Sequence, residues 1–184
     1  MTSALFPAAR PLTESEFLAL GETPERVELF DGGLHVTVAP GVLHQHVTGE
    51  LKLALHRGAG QAGHHVLGAV NVRLRPGRIT VPDLVVTTGL DFGELVVDSA
   101  AVRLVGEVLS PASATIDRVL KAHYYAAAGI PWYLLAEPDT GTLWLHTLAG
   151  GRYTEYASAE PGELLRLTDP VAVTIDPAEL LPPG

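Results

Sequence analysis

Cysteine is absent from all 184 residues of the chain. That absence excludes disulfides, thiolate zinc sites, iron–sulfur clusters and a cysteine nucleophile, and it leaves oxygen or imidazole to hold any metal. No apolar run approaches the ~20 residues that a membrane helix needs, so no bilayer span is expected. The apolar start Ala4-Leu5-Phe6-Pro7 is short and soon interrupted by Arg10-Pro11, which argues against a secretory leader and for a cytoplasmic protein. Basic residues are scarce: 12 Lys and Arg stand against 21 Asp and Glu, a formal charge of −9 with neutral histidine. A protein that finds nucleic acid through a global positive field does not look like this, although a local cleft can be basic on an acidic body. The chain also lacks a Gly-x-Ser-x-Gly elbow, a P-loop, a Gly-x-Gly-x-x-Gly turn, internal repeats and low-complexity tracts.

What is present is apolar material. Hydrophobic residues make up 47% and charged residues 18%, enough for the core of a single domain over residues 1–184. Thr13-Glu14-Ser15-Glu16 is a capping box that opens a short helix through Phe17, Leu18 and Leu20, ended by Thr23-Pro24. The runs 27–30 and 34–38 flank Asp31-Gly32-Gly33 and form a hairpin. His44, Val47, Leu51 and Leu55 then recur at helical spacing to about His56, and Gly58-Ala59-Gly60 is expected to stop that helix. Three extended segments follow over 65–74, 79–87 and 102–109, the first two joined by the turn Arg75-Pro76-Gly77-Arg78. Residues 89–99 form an excursion. Ser110-Pro111 starts a helix that runs to about Ala128, with Gly129 as its cap and Pro131 barring continuation. Strands over 132–137, 142–148 and 153–157 form a C-terminal meander, and a Pro/Gly/Leu-rich tail closes the chain. The order predicts a mixed α/β domain around one sheet. Consecutive strands without helices between them exclude an all-parallel doubly wound fold.

Two carboxylates sit inside otherwise apolar strands. Asp83 follows Pro82 and shares a strand face with Val81 and Val85; Glu107 shares its face with Val105 and Leu109. Burial of either costs several kcal/mol, on the order expected for a dehydrated charge, unless a cation, metal or donor compensates. Convergent oxygen ligands suit a hard divalent cation such as Mg²⁺. Equally, Asp83 could cap a turn and Glu107 could pair with an arginine. In the following helix Asp117 and Lys121 are i and i+4, continued by Tyr124 and Tyr125, with Ile116, Val119 and Leu120 as the neighbouring apolar face. Lys121 beside a metal would orient a water or stabilise a phosphate; the alternative is an exposed intrahelical salt bridge.

The strings Val81-Pro82-Asp83-Leu84-Val85-Val86 and Gly106-Glu107-Val108-Leu109-Ser110-Pro111-Ala112-Ser113, then Asp117, Lys121 and the run from Tyr125 through Gly129-Ile130-Pro131-Trp132-Tyr133-Leu134, together resemble the Uma-two family. Members are restriction-type endonucleases of the PD-(D/E)XK superfamily. Val27-Glu28-Leu29-Phe30-Asp31-Gly32 looks like the family's opening hairpin, and Pro40-Gly41-Val42-Leu43-His44-Gln45 like the lead-in to its first core helix. The resemblance spans about residues 13–180; each piece alone is weak, and the ordered set is specific.

The resemblance implies a restriction-endonuclease-like core: a central mixed sheet flanked by helices, with an N-terminal helix and hairpin and a C-terminal meander. It implies Mg²⁺ or Mn²⁺ held by Asp83, Glu107 and the main-chain carbonyl of Val108. The usual lysine two residues after the acid is replaced by Leu109, and the helix beyond offers Lys121 for that role. Asp117 would fix Lys121, and Glu28 and His44 are secondary candidates at the edge of the site. The implied activity is a hydrolase, an endonuclease cutting DNA, steered by Arg73, Arg75 and Arg78 near one hairpin end; a solvated turn is the plain alternative for those arginines. Double-strand cutting is simplest for a homodimer. Two other functions stand beside it: a nuclease-fold binding or assembly module with little catalysis, and a metal-dependent hydrolase of a small phosphoester, which a pocket rather than an open basic cleft would favour. His44 with His46, and His64 with His65, lack a chelating spacing, so no histidine metal site is expected. Trp132, Tyr133 and Trp144 fit a core or sheet face.

Overall fold

The computed structural model describes residues 3–6, 10–21, 23, 25–37, 39–110 and 114–183. A first strand, β1 (Ser3–Phe6), precedes the short helix α1 (Glu14–Leu18). The capping box forms as its sequence demands: Thr13 Oγ1 accepts from the Glu16 amide and Glu16 accepts from the Thr13 amide. Strands β2 (Arg26–Phe30) and β3 (Gly33–Thr37) make the expected hairpin. Its two-residue turn has positive φ at both Asp31 (53°) and Gly32 (88°), the geometry that matches strand twist. Pro24 and Val38, expected at a helix end and a strand end, lie outside the described residues, as do Pro111, Ala112 and Ser113.

Helix α2 (Val42–Ala59) buries Val47, Leu51, Ala54 and Leu55, the stripe its period predicts. It ends at Ala59 with Gly60 as its cap, inside the expected stop Gly58-Ala59-Gly60. Gly58 also answers a packing demand, since a Cβ there would stand 2.6 Å from the carbonyl oxygen of Ala172.

The expected segments 65–74 and 79–87 each break in two. β4 (His65–Gly68) and β5 (Val72–Arg75) are separated at Ala69, whose φ is 51°; β6 (Arg78–Thr80) and β7 (Leu84–Thr87) are separated at Val81-Pro82-Asp83. Proline cannot donate to a ladder, so the break falls there. The excursion carries only β8 (Val97–Asp98) before β9 (Val102–Val108). After a π-helical stretch (Ile116–Lys121) come α3 (Ala122–Ala127), β10 (Trp132–Glu137), β11 (Thr142–Ala149), β12 (Arg152–Ala159), β13 (Leu165–Leu167) and β14 (Val173–Ile175).

The strands therefore form two six-stranded sheets rather than one, ordered β1-β3-β2-β6-β5-β8 and β12-β11-β10-β9-β7-β4, with β13 and β14 as a separate pair. The second is the central mixed sheet: β9 and β10 run parallel and its other pairs antiparallel. The tail is not a loose end. Leu165, Leu167, Val171, Ile175 and Leu180 complete the apolar cluster around α2. Among the described residues no helix is long and apolar enough to cross a membrane.

Candidate active site

The break at Pro82 brings the two sheets to one point. The ladder between β7 and β9 pairs Leu84 with Gly106, so Asp83 lies one step beyond, opposite Glu107. Their side chains share a face, since alternate residues of a ladder point the same way. Asp83 thus stands at a strand junction rather than in a continuous strand. Its Oδ2 accepts the Val108 amide at 2.8 Å. Its Oδ1 receives the Arg26 guanidinium at 2.5 Å, and His44 Nε2, from the first turn of α2, lies 3.2 Å away. Val108, expected to lend its carbonyl, is tied to Asp83 through its N–H.

Glu28 is central, not peripheral. It is wholly buried, faces His35 across the hairpin register, accepts the Val81 amide at 2.9 Å and lies 3.1 Å from His35 Nδ1. The helical segment supplies the cation. Lys121 Nζ stands 3.2 Å from Glu107, 3.3 Å from Glu28 and 3.5 Å from Asp117. The Asp117–Lys121 pair exists, but it is buried, and the exposed salt bridge is not what forms. Tyr125 donates to Glu107 Oε1 at 2.6 Å and Tyr133 donates to the Asp117 carbonyl at 2.9 Å. The inward stripe of this helix is therefore Asp117, Lys121 and Tyr125. Val119 and Leu120, expected on its apolar face, are exposed: two places before Lys121 is the far side of the axis, and one place before is its flank. The π-helical winding here is of the kind that recurs at functional sites.

Four buried carboxylates (Glu28, Asp83, Glu107 and Asp117) meet two permanent cations, Arg26 and Lys121. Counting the histidines as neutral leaves an excess of two negative charges. The carboxyls divide the strain unequally. Burial works against ionisation of Asp83, but His44, Arg26 and Lys121 outweigh it and hold Asp83 well below the usual carboxylate range. Burial, reinforced by Asp117 and Asp83, pushes Glu107 up to about 8 despite Lys121. Burial also opposes the charge on Lys121, and Glu107, Glu28 and Asp117 overcome it, raising the ammonium above its ordinary value. Two neighbouring carboxyls pushed in opposite directions are the pattern of an acid–base or metal site.

Among the described residues no three carboxylate or imidazole groups already converge as a metal cluster. The donor chemistry nevertheless fits a hard divalent ion: two carboxylates that face each other across one rung position, in a pocket with surplus negative charge that Glu107 relieves by holding a proton. Gly106, opposite Leu84, keeps the adjoining rung closed. A Cβ on it would stand 2.6 Å from Leu84 Cδ1.

The sequence-derived set of Asp83, Glu107, Lys121, Asp117, Glu28 and His44 thus meets in one place, with Val108 beside it. Tyr125 continues the Asp117–Lys121 face as its spacing predicts, whereas Arg26 and His35 belong to the same network without a sequence reading that names them. A signal for both exists: Arg26 and Glu28 share one strand face, and the Asp31-Gly32 turn fixes His35 opposite Glu28. Arg73, Arg75 and Arg78 lie on the β5–β6 hairpin, each engaged by carboxylates: Arg73 by Glu14 and Asp98, Arg75 and Arg78 by Asp31. Arg78 also stacks 3.6 Å over the Tyr124 ring.

A family model described as "Uma2: Putative restriction endonuclease" matches residues 14–178. A crystal structure described as a putative nuclease belonging to DUF820, from Anabaena variabilis ATCC 29413, is similar in fold, with a TM-score of 0.76 and 18% identity over 92% of this chain and 97% of that one. No curated protein matches the chain in sequence.

Proposed function

Because the chain belongs to the Uma2 family of restriction-endonuclease-type proteins, we propose that it is a metal-dependent endonuclease that hydrolyses DNA phosphodiester bonds. The observation that supports this is the convergence of Asp83, Glu107 and Lys121, from three separate elements, into one buried network. Mg²⁺ or Mn²⁺, held by Asp83, Glu107 and the Val108 carbonyl, would supply Lewis acidity toward the phosphodiester and a water of lowered pKa. The chain's own groups do the rest. Lys121, kept charged by its three carboxylates, offers a preorganised donor where negative charge grows on the phosphate. Glu28 and Asp117 fix its position, and Tyr125 fixes the Glu107 carboxyl. Arg73, Arg75 and Arg78 would steer DNA only by exchanging Glu14, Asp98 and Asp31 for phosphates, so that binding falls with salt. A two-fold dimer would bring two such sites to a duplex.

One observation favours another function. Asp83 is already engaged at both oxygens on a molecule of net charge −9, as in a nuclease-fold module that binds without cutting. Calorimetric titration of Mg²⁺ and Mn²⁺ into wild type and Asp83→Ala, followed by plasmid cleavage with the same samples, separates the two. Binding and cleavage in wild type, both lost in the variant, are expected. Binding without cleavage points to a small phosphoester or to the module, and no binding of either ion at millimolar concentration, with DNA present, ends the metal mechanism.

A further inference from the structure

Arg26 occupies the place from which a metal would reach Asp83. Its guanidinium lies 2.5 Å from Asp83 Oδ1, and its side chain keeps 19% of its surface exposed while that of Asp83 keeps 2%. Burial opposes the charge on Arg26, and Asp83, Glu107 and Glu28 more than restore it, so it neutralises several carboxylates at once. The other group on that oxygen is the His44 imidazole, 3.2 Å away, a ring whose nitrogen can itself be a metal ligand. Arginine has no such option, because it does not lose its proton in a protein. A divalent ion at Asp83 and a guanidinium on the same oxygen repel, so one must leave.

The structure provides somewhere to go. Arg26 opens β2, and the β6 ladder covers only Leu29 and Phe30 of that strand. Beyond this uncovered edge lies a cavity of about 480 Å³, lined by Arg26 with Phe17, Val27, Gln45, Asn71 and Val81. We propose that Arg26 is a resident counter-cation: it holds Asp83 in the metal-free protein, yields it to a divalent ion, and turns into this cavity, where its five donors can meet a phosphodiester oxygen. The inference rests on the metal-site function above. It makes metal affinity a property of Arg26 as well as of the ligands.

The test uses wild-type protein with ¹⁵N-labelled arginine, the Arg26 guanidinium signals being assigned by their loss in Arg26→Lys. Mg²⁺ is added while its binding is followed by calorimetry. The Arg26 signals should be slow to exchange with water without Mg²⁺, then shift and exchange faster with the same midpoint as the binding heat, while other arginines stay put. Arg26→Met, which keeps the stem and drops the charge, should bind Mn²⁺ at least tenfold more tightly than wild type, and Arg26→Lys should stay close to wild type. Heat of Mg²⁺ binding with unmoved Arg26 signals, or no tightening in Arg26→Met, overturns the counter-cation and leaves the metal site standing. Absence of binding in wild type and both variants overturns both. If Arg26→Met does not fold, the wild-type titration decides alone.

Discussion

On one face of β9, Leu104 and Val108 lie against Val47, Leu51 and Leu55 of α2, with Leu84 and Val86 of β7 and Leu134 of β10 beside them. On the other, Val105 and Leu109 share their side with Glu107, and the helix that covers them presents Asp117, Lys121 and Tyr125. Both faces are equally dry. The α2 face is held by apolar burial, at about 1.5–3 kcal/mol for each fully buried aliphatic side chain. The Lys121 face carries charges whose mutual attraction roughly offsets their lost hydration, so that well-packed apolar replacements of such groups are often neutral or stabilising. A dry polar face beside a dry apolar one adds little to stability for the burial it takes, and it is there that the proposed chemistry is assigned.

Four substitutions or conditions sharpen that contrast. Lys121→Met should have the largest effect: removing one partner of a buried ionic cluster costs about 3–5 kcal/mol in stability. It should also reduce cleavage by roughly 10²–10³-fold, the usual loss for a preorganised donor. Urea denaturation and plasmid cleavage read the two effects separately. On the opposite face, Leu104→Ala should cost about 2–5 kcal/mol through the lost contacts and the cavity left behind, while cleavage per folded molecule stays at the wild-type value. A cleavage loss in Leu104→Ala as large as in Lys121→Met would erase the distinction between the faces.

The third is a pH dependence. Glu107 has a folded pKa raised from 4.5 to about 8, so between those values the folded protein holds a proton that the unfolded chain has released. Stability in chelator should therefore fall as pH rises through that window. Asp83 acts in the reverse sense: its lowered pKa contributes stability above the ordinary aspartate range that is lost only on strong acidification. Denaturation between pH 5 and pH 8 should show the decline, and Glu107→Gln should flatten it. Metal binding, which needs the carboxylate, should tighten across the same window and release protons. The smallest effect belongs to Tyr125→Phe. Loss of one hydrogen bond to the buried carboxyl should cost about 1 kcal/mol, and the Glu107 pH dependence should shift upward because one donor to the carboxylate form is gone.

Much of this contrast is legible in the sequence. Local chemistry carried the capping box at Thr13, the turn at Asp31-Gly32 and the α2 stripe, and misplaced carboxylates in apolar runs marked Asp83 and Glu107. Two features resisted. The expected segments 79–87 and 65–74 each change sheet, the former at Val81-Pro82-Asp83, where proline is a signal, and the latter at Ala69, a non-glycine residue with positive φ that no local signal distinguishes from its neighbours. The tail reads as irregular because its order comes from distant packing against α2, including the contact of Ala172 with Gly58. Arg26 and His35 escaped notice for a subtler reason. Each is ordinary alone on a hairpin, and only the pairing of register with the arrival of Lys121 from a helix far along the chain gives them a common purpose.

Gly106 changes how the vulnerability of the site should be drawn. It carries no charge and lies on the apolar face of β9, yet a single methyl there would meet Leu84 at 2.6 Å and pry apart the rung next to Asp83 and Glu107. A genetic screen for loss of activity should therefore return alanine at position 106 alongside the acidic and basic residues. That variant would keep every titratable group of the wild type and would have lost only their alignment.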